Sequence, residues 1–145
     1  MTEFSQLNLH PQVVKAVTDQ GYTTPTDIQN DIIPIMLDGK DVTAQSQTGS
    51  GKTAAFALPI LSNMVAGGDQ VQCLTIAPTR ELAMQVAKSF EAYGKDVGVR
   101  VLAVYGGAAY GPQLSKLRRG VDVVVGTPGR LLDLIRKKHL DLSGV

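Results

Sequence analysis

The 145 residues contain no tryptophan and a single cysteine, Cys73. One thiol excludes an intrachain disulfide and suits a reducing compartment. Cys73 lies in the apolar run 71–77, where a thiol behaves as a small buried hydrophobe. No apolar stretch approaches the roughly 20 residues of a membrane span. The opening, MTEFSQLNLHPQ, has neither the positive n-region nor the apolar segment of a signal peptide. These absences predict a cytoplasmic protein with no membrane partner. A large charge of either sign is missing as well: the formal net charge is +1, so any nucleic-acid surface must be a local patch. There is no internal repeat, no low-complexity segment and no sign of a domain boundary. The 43% hydrophobic content is that of an ordinary folded domain with a real core.

Two short helices open the chain. Residues 11–20 place Pro11 at the first helical position, with His10 as N-cap, Val13, Val14 and Val17 on the inner face and Gly21 at C′. Thr24-Pro25 opens the second, with Thr24 as N-cap, Asp27 at N3 and a core face of Ile28, Ile32 and Ile33. Pro34 should kink or end it. After the turn 38–41 the chain alternates. Apolar runs at 41–45, 71–77, 99–105 and 121–126 read as strands, and 52–66, 80–93 and 112–119 as helices. A further helix starts at Thr127 (N-cap) and Pro128 (N1). Strands apolar on both faces and separated by helices predict an α/β fold, a parallel sheet with helices on both sides.

Residues 46–53 read SQTGSGKT between the first of these strands and the helix after it. Glycines let the amides of a tight loop converge on phosphate oxygens. Lys52 then reaches the β- and γ-phosphates, and the Thr53 hydroxyl holds a magnesium ion. The following helix points the positive end of its dipole at the same anion. The plain alternative, a flexible Gly/Ser turn, does not account for strand, loop and helix in the order this chemistry needs. Ser46 departs from the strict pattern, which asks for Gly there.

Ligands of such sheets sit on the loops at the C-terminal ends of the strands. Four stretches fall there: SQTGSGKT, APTREL, YGGAAYG and GTPGRL. Each follows an apolar strand and sets small residues or proline beside a polar or basic one. Four such loops on one edge suggest an extended ligand in addition to a nucleotide.

Together these stretches resemble the DEAD-box RNA helicases. Residues 21–29, GYTTPTDIQ, are similar to that family's Q motif, with Phe4 at the spacing of its isolated upstream aromatic. Residues 46–53 are similar to motif I, with Ser46 replacing the usual alanine. PTRELA at 78–83 resembles motif Ia, Gly106-Gly107 the GG motif with Gln113 after it, and TPGR at 127–130 motif Ib. The resemblance implies a RecA-like P-loop domain, incomplete at its C-terminus, from an RNA-dependent ATPase that separates short duplexes, with ATP and Mg2+ as cofactors. It implies that Ser46, Gln47, Thr48, Gly49, Ser50 and Gly51 line the nucleotide, joined by Lys52, Thr53 and Ala54. Tyr22 and Phe4 lie against the adenine, and Thr26 braces the phosphate loop. Gln29 carries donor and acceptor together, so it can pair with adenine N6 and N7 and select ATP over GTP. A plain helix-surface glutamine, or core packing for the two aromatics, are the bland alternatives.

For RNA, the resemblance implies contacts from Pro78, Thr79, Arg80, Gly106, Gly107, Thr127, Pro128, Gly129 and Arg130. Helix-start amides can hold sugar-phosphate oxygens without reading bases, and the two arginines add charge and bidentate geometry. Binding should then be salt-dependent and nearly sequence-blind. An Arg80–Glu81 ion pair and a solvated Arg130 are the alternatives. The clusters Arg118-Arg119 and Arg136-Lys137-Lys138 read as solvated faces.

Neither Asp-Glu-Ala-Asp nor Ser-Ala-Thr occurs in the chain, nor does a second RecA-like domain with its arginine. By the resemblance, magnesium then lacks a protein carboxylate, the attacking water its base, and the cleft its other half. The chain alone is expected to bind nucleotide weakly, not to turn it over, and to be marginally stable or to self-associate through an unpaired strand edge. A non-catalytic nucleotide- or RNA-binding module and another kind of P-loop enzyme, such as a small-molecule kinase, stay open on the residues alone.

Overall fold

The computed structural model describes residues 3–47, 49, 51–65 and 67–145. Thr48 and Ser50 of the glycine-rich loop lie outside the described residues. The chain divides into two units, Met1–Met64 with Ala92–Gly98, and Val65–Glu91 with Val99–Val145.

The first unit is helical: a single 3-10 turn at Phe4–Gln6, then α1 (Pro11–Asp19), α2 (Asp27–Leu37) and α3 (Lys52–Ser62). His10 does cap α1, its Nδ1 accepting the Gln12 N–H at 3.1 Å, and Gly21 closes it in a left-handed conformation. Val13, Ala16 and Val17 form the buried stripe of α1, three to four residues apart as a helix requires. The start of α2 differs from expectation. Thr26, not Thr24, is its N-cap, because the Gln29 carboxamide reaches back to accept the Thr26 N–H at 2.9 Å and fixes the first turn there. Asp27 is therefore the first helical residue. Pro34 does not end α2. It forfeits one N–H, but the helix continues to Leu37, and the Pro34 carbonyl accepts the Asp38 N–H at 3.2 Å. Helix α3 stops at Ser62, short of the expected 66. Ile33 of α2 and Ala57, Leu58 and Leu61 of α3 are buried where the two helices pack together.

The expected strand at 41–45 does not form. These residues are irregular and exposed, with no ladder partner among the described residues. A strand exists only through its neighbour's hydrogen bonds, so apolar character alone could not make one here. Val42 and Ala44 instead line a cavity of about 370 Å³ with Ile28, Ile32, Met36, Phe56 and Lys52.

The second unit carries the sheet: β1 (Cys73–Ile76), β2 (Val101–Val104) and β3 (Val123–Gly126), in the order β1-β3-β2, all parallel. Three of the four expected strands are present, each shorter than its apolar run. Leu74, Val124 and Leu102 align across the sheet on one face, where Val124 and Leu102 pack with Leu131 and Leu134 of α6 (Pro128–Arg136). Val123 and Val125 point to the other face and are equally buried, so the central strand is covered on both sides. Gly126 is a packing requirement, since a Cβ there would run into Leu131 and Val104. Helix α4 (Arg80–Tyr93) matches its expected bounds, and α5 (Tyr110–Arg119) begins two residues earlier than 112. Asp122, 2% exposed, is the buried polar anchor just before β3. Its carboxylate accepts the Arg100 N–H at 2.9 Å and pairs with the Arg100 guanidinium at 2.8 Å, and its backbone carbonyl accepts the Gln72 N–H at 2.8 Å. The Arg100 guanidinium also bonds the Gly68 carbonyl.

Candidate functional site: the glycine-rich loop and the strand-end loops

In the first unit the loop 46–53 runs into α3. Gly49 and Gly51 have φ of 83° and 84°, the left-handed region that glycine enters without strain. Gly51 is the residue before α3, so the N–H groups of the first helical turn have no intrahelical partner. Lys52 donates from Nζ to the Ser46 carbonyl at 2.8 Å, which draws the loop closed across its own mouth. Thr53 is half-buried in the first turn, Ala54 is buried, and Gln47 is exposed. No cluster of three His, Cys, Asp or Glu suited to a metal occurs among the described residues. Magnesium prefers six oxygens, mostly water, carboxylate and phosphate. Thr53 offers one, so the donor set fits an ion carried in on a nucleotide and does not fit a resident one.

Gln29 is joined to this loop directly. It is 6% exposed, and its Nε2 donates to the Gly51 carbonyl at 3.1 Å while its Oε1 holds the Thr26 N–H. A Cβ on Gly51 would collide with the Gln29 carboxamide and crowd the Thr26 hydroxyl. One carboxamide therefore starts α2 and clips the glycine-rich loop. Each end of it still has one hydrogen-bonding position to offer.

Beside the clip opens a cavity of about 160 Å³. Its walls include Phe4, Tyr22, Thr26, Gln29, Gly49, Gly51 and Ala54, so seven of the expected nucleotide residues share one pocket. Phe4 is 3% exposed and forms floor; Tyr22 is 56% exposed and stands at the mouth. Ser46, Gln47, Lys52 and Thr53 do not line it; Lys52 lines the cavity beside Val42 and Ala44 instead. Sequence reasoning missed Val17, Thr24, Leu58 and Tyr93, which complete the wall. Tyr93 had no signal at all: it sits at the end of an amphipathic helix, far along the chain from the other members. Burial, and then the nearby Tyr22, push the Tyr93 phenol up.

In the second unit the parallel sheet brings the loops after β1, β2 and β3 to one edge, and each runs into a helix. Thr79 starts α4, its hydroxyl accepting the Leu82 N–H at 3.2 Å and its carbonyl the Ala83 N–H at 3.0 Å. Arg80 is exposed and forms no ion pair with Glu81 among the described residues. Its guanidinium lies 4.8 Å over the Tyr105 ring. Gly106 and Gly107 are exposed, and Pro128 and Gly129 present the exposed start of α6 behind Thr127, the N-cap residue. Arg130 is neither solvated nor free. It donates to the Gln113 Oε1 at 2.9 Å and to the Ala108 carbonyl at 3.4 Å, and lies 5.0 Å over the Tyr110 ring. Gln113, 6% exposed, donates in turn to the Tyr105 carbonyl at 3.4 Å. Arg130 thus braces the loop that holds the two glycines.

A family model described as DEAD/DEAH box helicase matches residues 26–145. The chain is 50% identical over 143 residues to the ATP-dependent RNA helicase DeaD of Mycobacterium tuberculosis (strain H37Rv), covering 98% of this chain and 25% of that protein. Against the protein of the same name from Escherichia coli (strain K12) the identity is 50%, over 98% of this chain and 23% of the relative. The crystal structure of a DEAD box protein from the hyperthermophile Methanococcus jannaschii matches all of this chain and 40% of its own, with a TM-score of 0.94 and 38% identity. A hypothetical ATP-dependent RNA helicase from Sulfolobus tokodaii gives 0.83 and 42% over 92% of this chain and 38% of that one. The expected RecA-like α/β fold is that of these neighbours, and the chain spans about a quarter of the length of the curated relatives it matches. Because that family model matches residues 26–145, most of its length, the chain belongs to the DEAD/DEAH box helicase family.

Proposed function

We propose that this chain is the ATP- and RNA-engaging portion of an ATP-dependent RNA helicase, the activity named for its relatives. The observation that carries the reading is the Gln29–Gly51 clip, which sets an aromatic pocket against the amino end of α3. In this reading the adenine enters between Tyr22 and the Phe4 floor, and Gln29 uses its spare donor and acceptor on the base. The triphosphate tail meets the amides at 49–53, and Lys52 exchanges the Ser46 carbonyl for phosphate oxygen. Mg2+ bound with the nucleotide would neutralise phosphate charge, with Thr53 as its protein oxygen. RNA lies along the loops after β1, β2 and β3, held by helix-start amides and by Arg80, with Arg130 keeping the glycine loop in shape. A cytoplasmic setting agrees with the buried lone thiol.

The residues around the loop supply amides, an ammonium and a hydroxyl, but no carboxylate to activate water. We therefore propose binding without turnover for these 145 residues, with a second RecA-like domain needed for strand separation. Calorimetric titration with ADP and GDP tests the reading. ADP should bind the better of the two, Gln29→Ala should erase the preference, and Lys52→Ala should weaken both nucleotides. Equal affinity for the two in the unaltered chain would refute it. The edge of β1 that has no ladder partner among the described residues, where Ile76 is 62% exposed, is the surface we propose for self-association, and sedimentation against concentration reads it.

A further inference from the structure

We propose that Tyr93 is a third base-contacting aromatic of the nucleotide pocket; this rests on the reading that the cavity receives adenine. Tyr93 is the last residue of α4 and lines the cavity with Phe4, Tyr22 and Gln29. The three aromatics differ in what they can offer. Phe4 is sealed in the floor, Tyr22 stands mostly in solvent, and Tyr93 is half-buried, with part of its surface left for a ligand. A residue that served only as packing would need no polar handle. The Tyr93 hydroxyl has no hydrogen-bond partner among the described residues. Burial pushes the phenol up, so it is a neutral donor in a wall it shares with Phe4, Val17 and Leu58. That combination suits a purine, which offers a π-face to the ring and ring nitrogens or a ribose oxygen to the O–H.

The backbone around Tyr93 is held in place. Asp19, at the end of α1, takes the Lys95 ammonium at 2.7 Å and the Lys15 ammonium at 2.9 Å. Lys15 reaches on to Asp96 at 3.7 Å, and the Val97 N–H bonds the Gly94 carbonyl at 3.2 Å. The turn that follows Tyr93 is thereby tied to α1, whose Val17 also lines the pocket.

The test compares ADP with pyrophosphate, which can use the phosphate loop but has no base. In calorimetric titrations of the 145-residue chain, Tyr93→Leu should weaken ADP about ten-fold and leave pyrophosphate within about two-fold. Tyr93→Phe, which keeps the ring, should lose about three-fold for ADP, the scale of one hydrogen bond. Equal losses for the two ligands, or ADP binding unchanged in Tyr93→Leu, would overturn the proposal. Lys52→Ala separates the two levels. If it weakens ADP while both Tyr93 variants are silent, only the role of Tyr93 falls; if it leaves ADP untouched, the pocket reading falls and Tyr93 with it. Should Tyr93→Leu fail to fold, emission decides the question. The chain has four tyrosines and no tryptophan, and of the tyrosines only Tyr22 and Tyr93 line the pocket. ADP should quench tyrosine emission, pyrophosphate should not, and Tyr93→Phe should reduce the quench. A quench of undiminished size in that variant counts against contact.

Discussion

Replacing Gly49 and Gly51 by alanine, one at a time, isolates the glutamine clip. Both glycines have φ near +83°, so both substitutions force a Cβ into the left-handed region. That costs about 1–2 kcal/mol, offset by roughly 0.4–1 kcal/mol from the narrower unfolded ensemble of alanine. About 1 kcal/mol should remain. For Gly49→Ala nothing more is expected, because no atom stands within 4 Å of the added carbon. At Gly51 the added carbon meets the Gln29 carboxamide. Gln29 must swing away and give up its bonds to the Gly51 carbonyl and the Thr26 N–H. Two such bonds are worth about 1 kcal/mol each, so Gly51→Ala should cost about 3 kcal/mol in all. Urea titration followed by far-ultraviolet circular dichroism reads the difference between the two. The double variant Gly51→Ala/Gln29→Ala should be no worse than about 1 kcal/mol beyond Gln29→Ala alone, since the collision is gone. Equal costs for the two single glycine variants, or strict additivity in the double, would refute the clip.

Two further perturbations address the second unit. Asp122→Asn should cost about 2 kcal/mol, below the roughly 3–5 kcal/mol of a fully buried pair because Arg100 is more than a third exposed. Burial alone would raise the Asp122 carboxyl, but the Arg100 hydrogen bonds prevail and hold it below the usual carboxylate range. Its stabilisation is therefore complete above about pH 4 and is lost as pH falls through the lower folded value. Urea midpoints of the two proteins should converge only in strong acid, and convergence already at pH 5 would be wrong for this site. Arg80 and Arg130 should differ in kind when RNA binding is followed by fluorescence anisotropy. Arg80→Ala removes an exposed charge and should flatten the salt dependence by about 0.7 in log–log slope, one single-strand phosphate contact. Arg130→Ala should weaken binding at every salt concentration with the slope unchanged, because its guanidinium is spent on Gln113 and Ala108.

Helix α4 was legible to the residue because its pattern is complete. Ala83, Val86, Ala87 and Phe90 repeat at three and four, and all are buried. The strands of the sheet were legible as apolar runs, yet their ends are set by Asp122, Arg100 and Gln72, whose pairing spans 22 to 50 residues of chain and leaves no local trace. The run 41–45 reads DVTAQ, with only Val42 and Ala44 apolar, and it forms no strand, because the deciding quantity is a neighbouring backbone and composition does not contain it. The displaced start of α2 has a different cause. Thr24-Pro25 and Thr26 are both sound helix openings by local rules. The choice between them falls to Gln29, three residues ahead of Thr26, and Gln29 is itself held by Gly51.

That last dependence explains why Gly51 and Gln29 stand out in the sequence while the start of α2 does not. A glycine at 51 is demanded twice, once by its left-handed backbone and once by the carboxamide pressed against it. A glutamine at 29 is also engaged twice, on the cap of α2 and on the loop. Positions under two independent constraints tolerate few residue types, so they stand out as a pattern even where the geometry behind them is hidden. Tyr93 is under neither constraint. Nothing in the neighbouring sequence distinguishes a phenol chosen for its ring or its hydroxyl from one that only fills a wall. The pocket makes the distinction physical, because it puts that phenol in one wall with the Gln29 carboxamide that bonds the Gly51 carbonyl.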